Sequence, residues 1–353
     1  LAVLVTGGAG YIGSHLCIEL LESGYDIIVL DNFSTSSPEA LKRVQKITGR
    51  TLRVYNVDLN NKMNLMRIFS KESIDSVIHL AGFKSVGEST SSPLKYYANN
   101  ITGTINLCEV MEIFNVKKLV FSSSATVYAP TNDHMPISEN HPLGAINPYG
   151  HTKQIIEDML RGLYHSSPMW SVSILRYFNP VGAHDSGLIG EDPKGVPTNL
   201  LPYIAEVAVG NISTLFVYGN DYPTKDGTGI RDYIHVGDLA KGHKEVLKRT
   251  MDTTGFETFN LGTGKGYSVM EMIQAFERVS GKRINYQIKP RRKGDIAFCV
   301  ADVSKAKNQL GWAAEKDINT MCEDTWRWQK ANPSGYKHRN NLSFEKEVII
   351  NDR

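Results

Sequence analysis

The 353-residue sequence predicts an α/β protein: a doubly wound parallel sheet followed by a smaller, mixed α/β lobe toward the C-terminus. Three observations carry that expectation. The first half alternates short β-branched apolar runs with helical patterns. A glycine-rich turn joins the first strand to the first helix, and the alternation breaks down after Tyr177.

Strand patterns fall at residues 2–6, 26–30, 51–56, 76–80, 118–121 and 171–177. Helical patterns lie between them, at 11–23, 38–47, 63–70, 94–114 and 148–164. Strands joined through helices imply right-handed crossovers and a parallel sheet. Residues 179–235 are rich in Gly, Pro, Asn and Asp, and read as long loops around one helix over 200–209. A helix over 237–250 and a strand over 258–261 return to the main sheet. The expected division is therefore 1–178 with 236–262 as the first domain, 179–333 as the second lobe, and 334–353 as a polar tail.

Composition narrows the function. A 41% hydrophobic, 22% charged chain is an ordered globular one. Its net charge of +2 provides no field for nucleic acid or an anionic membrane, so basic residues act locally. No apolar run is long enough to span a bilayer, and no secretory leader is legible. The cysteines Cys17, Cys108, Cys299 and Cys322 form no C-x-x-C pair and no metal-type cluster, which fits reduced thiols in the cytoplasm. The N-x-S/T triplets at Asn32, Asn100, Asn211 and Asn341 then read as chance.

Val3-Leu4-Val5-Thr6 runs into Gly7-Gly8-Ala9-Gly10-Tyr11-Ile12-Gly13 and then an amphipathic helix. Gly7, Gly10 and Gly13 stand where a dinucleotide fold needs a tight turn, close approach to a pyrophosphate and close helix–strand packing. The helix N-terminus offers free N–H groups and a positive dipole end to that anion. Asp31 ends the second strand, where a carboxylate accepts the adenosine ribose hydroxyls and repels a 2′-phosphate. No arginine adjoins it, so the expected cofactor is NAD. Asp58 reads equally as a partner for the adenine amino group or as an exposed loop carboxylate.

Of the sixteen tyrosines, only Tyr149 has a lysine four residues on, Lys153. Asn147 can cap that helix and Pro148 suits its first turn, which puts Tyr149 and Lys153 on one face. There the ammonium, with a positive nicotinamide ring, favours phenolate over phenol, and a phenolate can take an alcohol proton. The preceding strand ends in Ser122-Ser123-Ser124 at the sheet's carboxyl edge. Spacing does not choose among those serines.

These motifs, and their order, resemble the extended short-chain dehydrogenase/reductase family, in particular its branch of nucleotide-sugar 4-epimerases. The likeness covers residues 3–15, 81–89, 121–128, 147–153, 175–182 and 229–238, and spans the chain to about Pro333. It implies Ser124, Tyr149 and Lys153 as the catalytic set. It matches Gly7, Gly10, Tyr11, Ile12, Gly13, Asp31, Asn32, Asp58, Leu59, Leu80, Lys84, Asn99 and Tyr177, with Tyr149 and Lys153, to cofactor positions. Asn179, Asn199, Leu200, Tyr218, Arg231, Tyr233, Arg292 and Asp295 match the UDP-binding set, and Lys84, Ser124 and Tyr149 also face substrate. Tyr218 stands where relatives often carry Phe, and a tyrosine ring stacks on uracil equally well. Cys299 aligns with a pocket position that is bulky in relatives restricted to hexoses and smaller in those that also take N-acetylhexosamines.

Read by chemistry, Arg231 and Arg292 can each present a bidentate fork to a diphosphate. Without the resemblance, Arg291-Arg292-Lys293 is a solvated charge run and Asn179 a turn residue before Pro180. The resemblance implies reversible interconversion of UDP-galactose and UDP-glucose through a 4-keto sugar, with NAD retained throughout. It extends the substrates to UDP-GlcNAc and UDP-GalNAc, and implies a homodimer paired through the helices at 94–114 and 148–164. A 4,6-dehydratase would need Asp-Glu where Ala125-Thr126 stand, and a sugar-acid decarboxylase a Glu nearby. A non-catalytic NAD sensor has no use for the Ser–Tyr–Lys set.

Overall fold

A computed structural model describes residues 1–131, 134–195, 197–292 and 294–337. The strands of the first half are β1 (Ala2–Thr6), β2 (Asp26–Asp31), β3 (Arg53–Asn56), β4 (Ser76–His79), β5 (Lys118–Ser124) and β6 (Ser171–Tyr177). Beyond them come β7 (Asn179–Val181), β8 (Leu215–Tyr218), β9 (Ile230–His235), β10 (Gly255–Leu261), β11 (Gly266–Ser268), β12 (Tyr286–Lys289) and β13 (Phe298–Cys299). The main sheet has seven strands in the order β10-β6-β5-β4-β1-β2-β3, all parallel. Chain order reverses between β1 and β4, which opens the crevice where such sheets bind ligands.

Alternate residues of each strand feed two cores, as a sheet covered on both faces requires. On one face Val3, Val5 and Val29 meet Leu16 and Leu20 of α1 (Tyr11–Glu22), Leu41 of α2 (Pro38–Thr48) and Leu239 and Leu247 of α9 (Val236–Asp252). On the other, Leu4, Ile28 and Val77 meet Leu65 of α3 (Lys62–Lys71), Leu107 and Met111 of α6 (Gly103–Ile113), and Ile156 and Leu160 of α7 (Pro148–Ser166). A third core gathers α8 (Leu200–Ala208), α10 (Val269–Ser280) and α11 (Ile318–Ala331) around Ile204, Met272, Phe276 and Met321. There β7, β11 and β13 pair with β9, and β12 pairs with β8.

Three expectations need correction. The helix expected over 94–114 is α5 (Pro93–Tyr96), a π-helical stretch Tyr97–Thr102 and then α6, preceded by a short α4 (Val86–Ser91). Asn100 explains the π segment: its amide turns inward to the backbone N–H and carbonyl of Phe83 and to the Thr152 hydroxyl. Residues 179–235 hold β7, β8 and β9 as well as a helix, because those short strands pair with segments distant in sequence. The tail expected from 334 begins with an ordered turn, Gly335–Lys337, where the Tyr336 ring lies 4.8 Å from Trp328. Lys293 and Asn341 lie outside the described residues.

Beneath the end of β5 sits a fully buried ion pair. Arg176 of β6 meets Glu157 of α7 through two bonds, of 2.6 and 3.1 Å, with the side chains 3% and 0% exposed. Ser123 donates to the same carboxylate, and Arg176 also donates to the Glu139 carbonyl and lies over the Tyr128 ring. Replacing Arg176 with Met leaves a buried carboxylate without its cation, for an expected loss of about 3–5 kcal/mol. Urea denaturation followed by circular dichroism measures it. Glu157→Leu added to Arg176→Met is expected to restore most of the stability, and a single-variant loss below about 1 kcal/mol would refute the pair's role.

Candidate active site

The glycine turn carries its own geometric proof. Gly7 has φ +70°, and a Cβ on Gly13 would stand 2.2 Å from the Gly7 carbonyl oxygen, so the helix can start this close to the strand only without side chains. Asp31, at the end of β2, folds back over that turn. Its carboxylate accepts from the Ala9 and Phe33 amides at 3.0 and 2.9 Å and from the Ser36 hydroxyl at 2.8 Å. Burial pushes its pKa up while those bonds pull it down. Three of roughly four acceptor sites are thus used, and one remains for a ribose hydroxyl. Beside it, Asn32 donates to Asp58 at 2.8 Å, and Leu59 is buried behind them.

The three serines, indistinguishable by spacing, are separated by their partners. Ser123 is committed to Glu157, and Ser122 sits beside the Tyr177 phenol. Ser124 sits beside the Tyr149 phenol and pulls its pKa down, and its oxygen accepts from the Thr126 amide and hydroxyl at 3.2 and 3.0 Å. The register supports this division, with Ser123 opposite Arg176 and Ser124 opposite Tyr177 across β5 and β6. Successive side chains alternate faces, so Ser123 cannot share the face of Ser122 and Ser124.

Helix α7 brings Tyr149 to Ser124. The Asn147 side chain accepts from the Gly150 amide at 2.9 Å, and Pro148 opens the helix, as the motif predicts. Gly150 permits the approach: a Cβ there would lie 2.7 Å from the Thr126 carbonyl oxygen. One turn on, Lys153 is 4% exposed, donates to the Ser122 carbonyl at 2.7 Å and lies over Phe121. Burial lowers its pKa to about 8, against the pull of Glu157. Among the protein's own groups, burial raises the Tyr149 pKa and the neighbouring Ser124 hydroxyl offsets only part of it.

Other expected positions lie on elements of both lobes. Tyr177 ends β6, with its hydroxyl bonded to the buried His243 imidazole. Leu80 follows β4, Asn99 lies in the π segment, and the Lys84 ammonium is 5.9 Å from the Tyr11 ring centroid. Asn199 precedes α8, whose first residue is Leu200. Asn179 pairs with Tyr233 across β7 and β9, and Cys299 of β13 pairs with Arg231. The Arg231 guanidinium is 4.0 Å from Asp295, and the Arg292 guanidinium lies 4.0 Å over the Tyr218 ring. Burial raises the Cys299 pKa to about 11, so its thiol stays protonated. Sequence reading missed Asn100, His243, Glu157 and Arg176, each buried and each signalled only by its tertiary partners. Among the described residues, no cluster of His, Cys, Asp and Glu could hold a metal. No described helix is long and apolar enough to cross a membrane.

The arrangement gathers a hydroxyl, a phenol and an ammonium at the carboxyl end of a sheet that also carries a dinucleotide-type glycine turn. Known proteins resemble the chain over nearly its whole length. The family described as GDP-mannose 4,6 dehydratase matches residues 4–325. The UDP-glucose 4-epimerase of Bacillus subtilis is 59% identical over 337 residues, 96% of this chain and 99% of that one. The human UDP-glucose 4-epimerase is 54% identical over 341 residues, 95% and 98% of the two chains. The crystal structure of the Bifidobacterium longum UDP-glucose 4-epimerase, in complex with NAD+ and UDP, superposes with a TM-score of 0.92 at 53% identity, covering 95% of this chain and all of that one. The UDP-Glc/GlcNAc 4-epimerase of Campylobacter jejuni has a TM-score of 0.82 at 38% identity, covering 94% and 99%. By sequence and by fold alike, the chain belongs to the UDP-glucose 4-epimerases of the extended short-chain dehydrogenase/reductase family.

Proposed function

We propose that the chain interconverts UDP-galactose and UDP-glucose, with Tyr149 as the proton-transfer group, Ser124 as its hydrogen-bond partner and Lys153 as the cation beside it. The single observation that carries this reading is the placement of the Tyr149 phenol beside Ser124 at the end of β5, one helical turn from a buried lysine. The glycine cradle and the Asp31 carboxylate fit a dinucleotide with a free ribose 2′-hydroxyl. Bound there, NAD supplies a reversible hydride acceptor for the sugar's C4. Tyr149 takes the 4-hydroxyl proton as the carbonyl forms and returns it when the carbonyl is reduced. Ser124 holds the reacting oxygen in line. Arg231 and Arg292 grip the diphosphate and Tyr218 receives the uracil, so the sugar alone is free to present its other face.

Ala125 and Thr126 occupy the positions where a dehydratase needs an acid and a base, and they supply neither. That difference favours epimerisation over the reaction in the matching family's description. The apolar side chains of Leu94, Ile105, Ile113 and Ile155, exposed on α5, α6 and α7, support a homodimer paired through those helices. The four free thiols suit the cytoplasm.

Three outcomes test this function. Purified protein given UDP-galactose and no added nicotinamide is expected to produce UDP-glucose, and Tyr149→Phe to slow it by about 100-fold or more. Unchanged turnover in that variant refutes the assignment. Lys153→Met is expected to abolish turnover yet raise Tm at pH 7. In the fold the lysine loses its proton near pH 8, and in the unfolded chain near the ordinary 10.5. The unfolded state therefore binds more protons between those values, so wild-type stability climbs with pH there and the variant's advantage shrinks. Thermal melts from pH 7 to 10.5 check the trend, and a lower Tm for the variant at pH 7 contradicts it.

Cys299 lacks the bulk that would exclude a 2-acetamido group, and supports action on UDP-GlcNAc and UDP-GalNAc as well. Cys299→Tyr is expected to remove hexosamine turnover and spare the hexose reaction, with both measured on one preparation. Equal loss of the two defeats the pocket argument.

A further inference from the structure

Glu191 stands between the two halves of the crevice. Its Oε1 accepts from the Lys84 ammonium at 2.8 Å and from the Asn199 amide at 3.1 Å. Lys84 follows β4 on the dinucleotide side, and Asn199 opens α8 on the nucleotide-sugar side. The Glu191 side chain is only 9% exposed, and its Oε2 is buried with no donor among the described residues. The carboxylate's side-chain partners among the described residues are therefore Lys84 and Asn199, both on one oxygen. The backbone beneath it is anchored: the Trp328 indole donates to the Glu191 carbonyl at 3.2 Å, and the Gly190 amide donates to the Tyr336 hydroxyl at 3.3 Å. Three residues on, Lys194 reaches the loop that follows β2 and donates to the Ser34 and Phe33 carbonyls at 2.5 and 3.4 Å. One segment of the substrate lobe thus holds the cofactor side at two points, through Glu191 and Lys194.

We propose that Glu191 is a positioning residue that ties Lys84 to Asn199, so that UDP binding and NAD retention strengthen each other. The inference rests on the function proposed above. Linkage makes the effect reciprocal: whatever UDP adds to the hold on NAD, NAD adds to the hold on UDP. A residue serving stability alone would lower Tm and leave that coupling untouched.

The test uses the full chain with its bound NAD. A nicotinamide-nucleotide hydrolase destroys whatever NAD escapes, and the bound NAD remaining is followed with and without UDP. In the wild type, UDP is expected to slow NAD loss by about fivefold or more, the low end of ordinary coupling; in Glu191→Ala, by less than about twofold. The same variant is expected to raise the KM for UDP-galactose about tenfold, while kcat, with NAD in excess, falls less than about threefold. Glu191→Gln keeps the oxygen that Asn199 needs and drops the ion pair, and it carries the test if the alanine variant does not fold. Equal slowing by UDP in the wild type and in a folded variant overturns the tie. A wild type that holds no NAD and leaves UDP-galactose unchanged refutes the proposed function itself, a separate result.

Discussion

The register between β5 and β6, locked from below by Glu157 and Arg176, decides where each reacting group stands. Arg176 reaches across to the helix that carries Tyr149 and Lys153, and Ser123 joins the same carboxylate from the strand that carries Ser124. A slip of one residue would send Ser124 to the wrong face and bury Ser123 where the phenol waits. Such a pair is a costly device in the interior, since both ions lose their water. Its worth is in holding helix and strand to one relative height.

Above that lock, burial sets the electrostatics. The same desolvation that raises the Tyr149 phenol lowers the Lys153 ammonium, so the lysine moves toward its change of state and the tyrosine away from it. Neither shift by itself makes a base.

The second lobe is held to the first by chain crossings rather than by a hinge. β10 returns to the edge of the main sheet beside β6, α9 packs on α1, and Tyr11 donates to the Gly182 carbonyl at 2.6 Å. Within that frame Arg231, Cys299 and Tyr233 lie on adjacent short strands, and their relative places are set by main-chain pairing.

Much of this was legible along the chain, because it depends on neighbours. The glycine turn, Asp31 at a strand end, and the Asn-Pro-Tyr opening of α7 all arise from local backbone geometry, and each lies where its motif places it. Spacing could not separate Ser122, Ser123 and Ser124, since only partners on β6 and α7 distinguish them. Nor could it find the π turn at Asn100, which exists to satisfy a loop seventeen residues upstream. The short strands beyond Tyr177 escaped notice because they pair with segments far along the chain, leaving too few residues for a period to show. Sequence alone thus determined the nature of the parallel sheet and the dinucleotide turn. Tertiary structure alone decided the partners of each strand-end serine and the burial of the phenol. Local patterns record backbone preference, whereas contact and desolvation belong to atoms that only folding brings together.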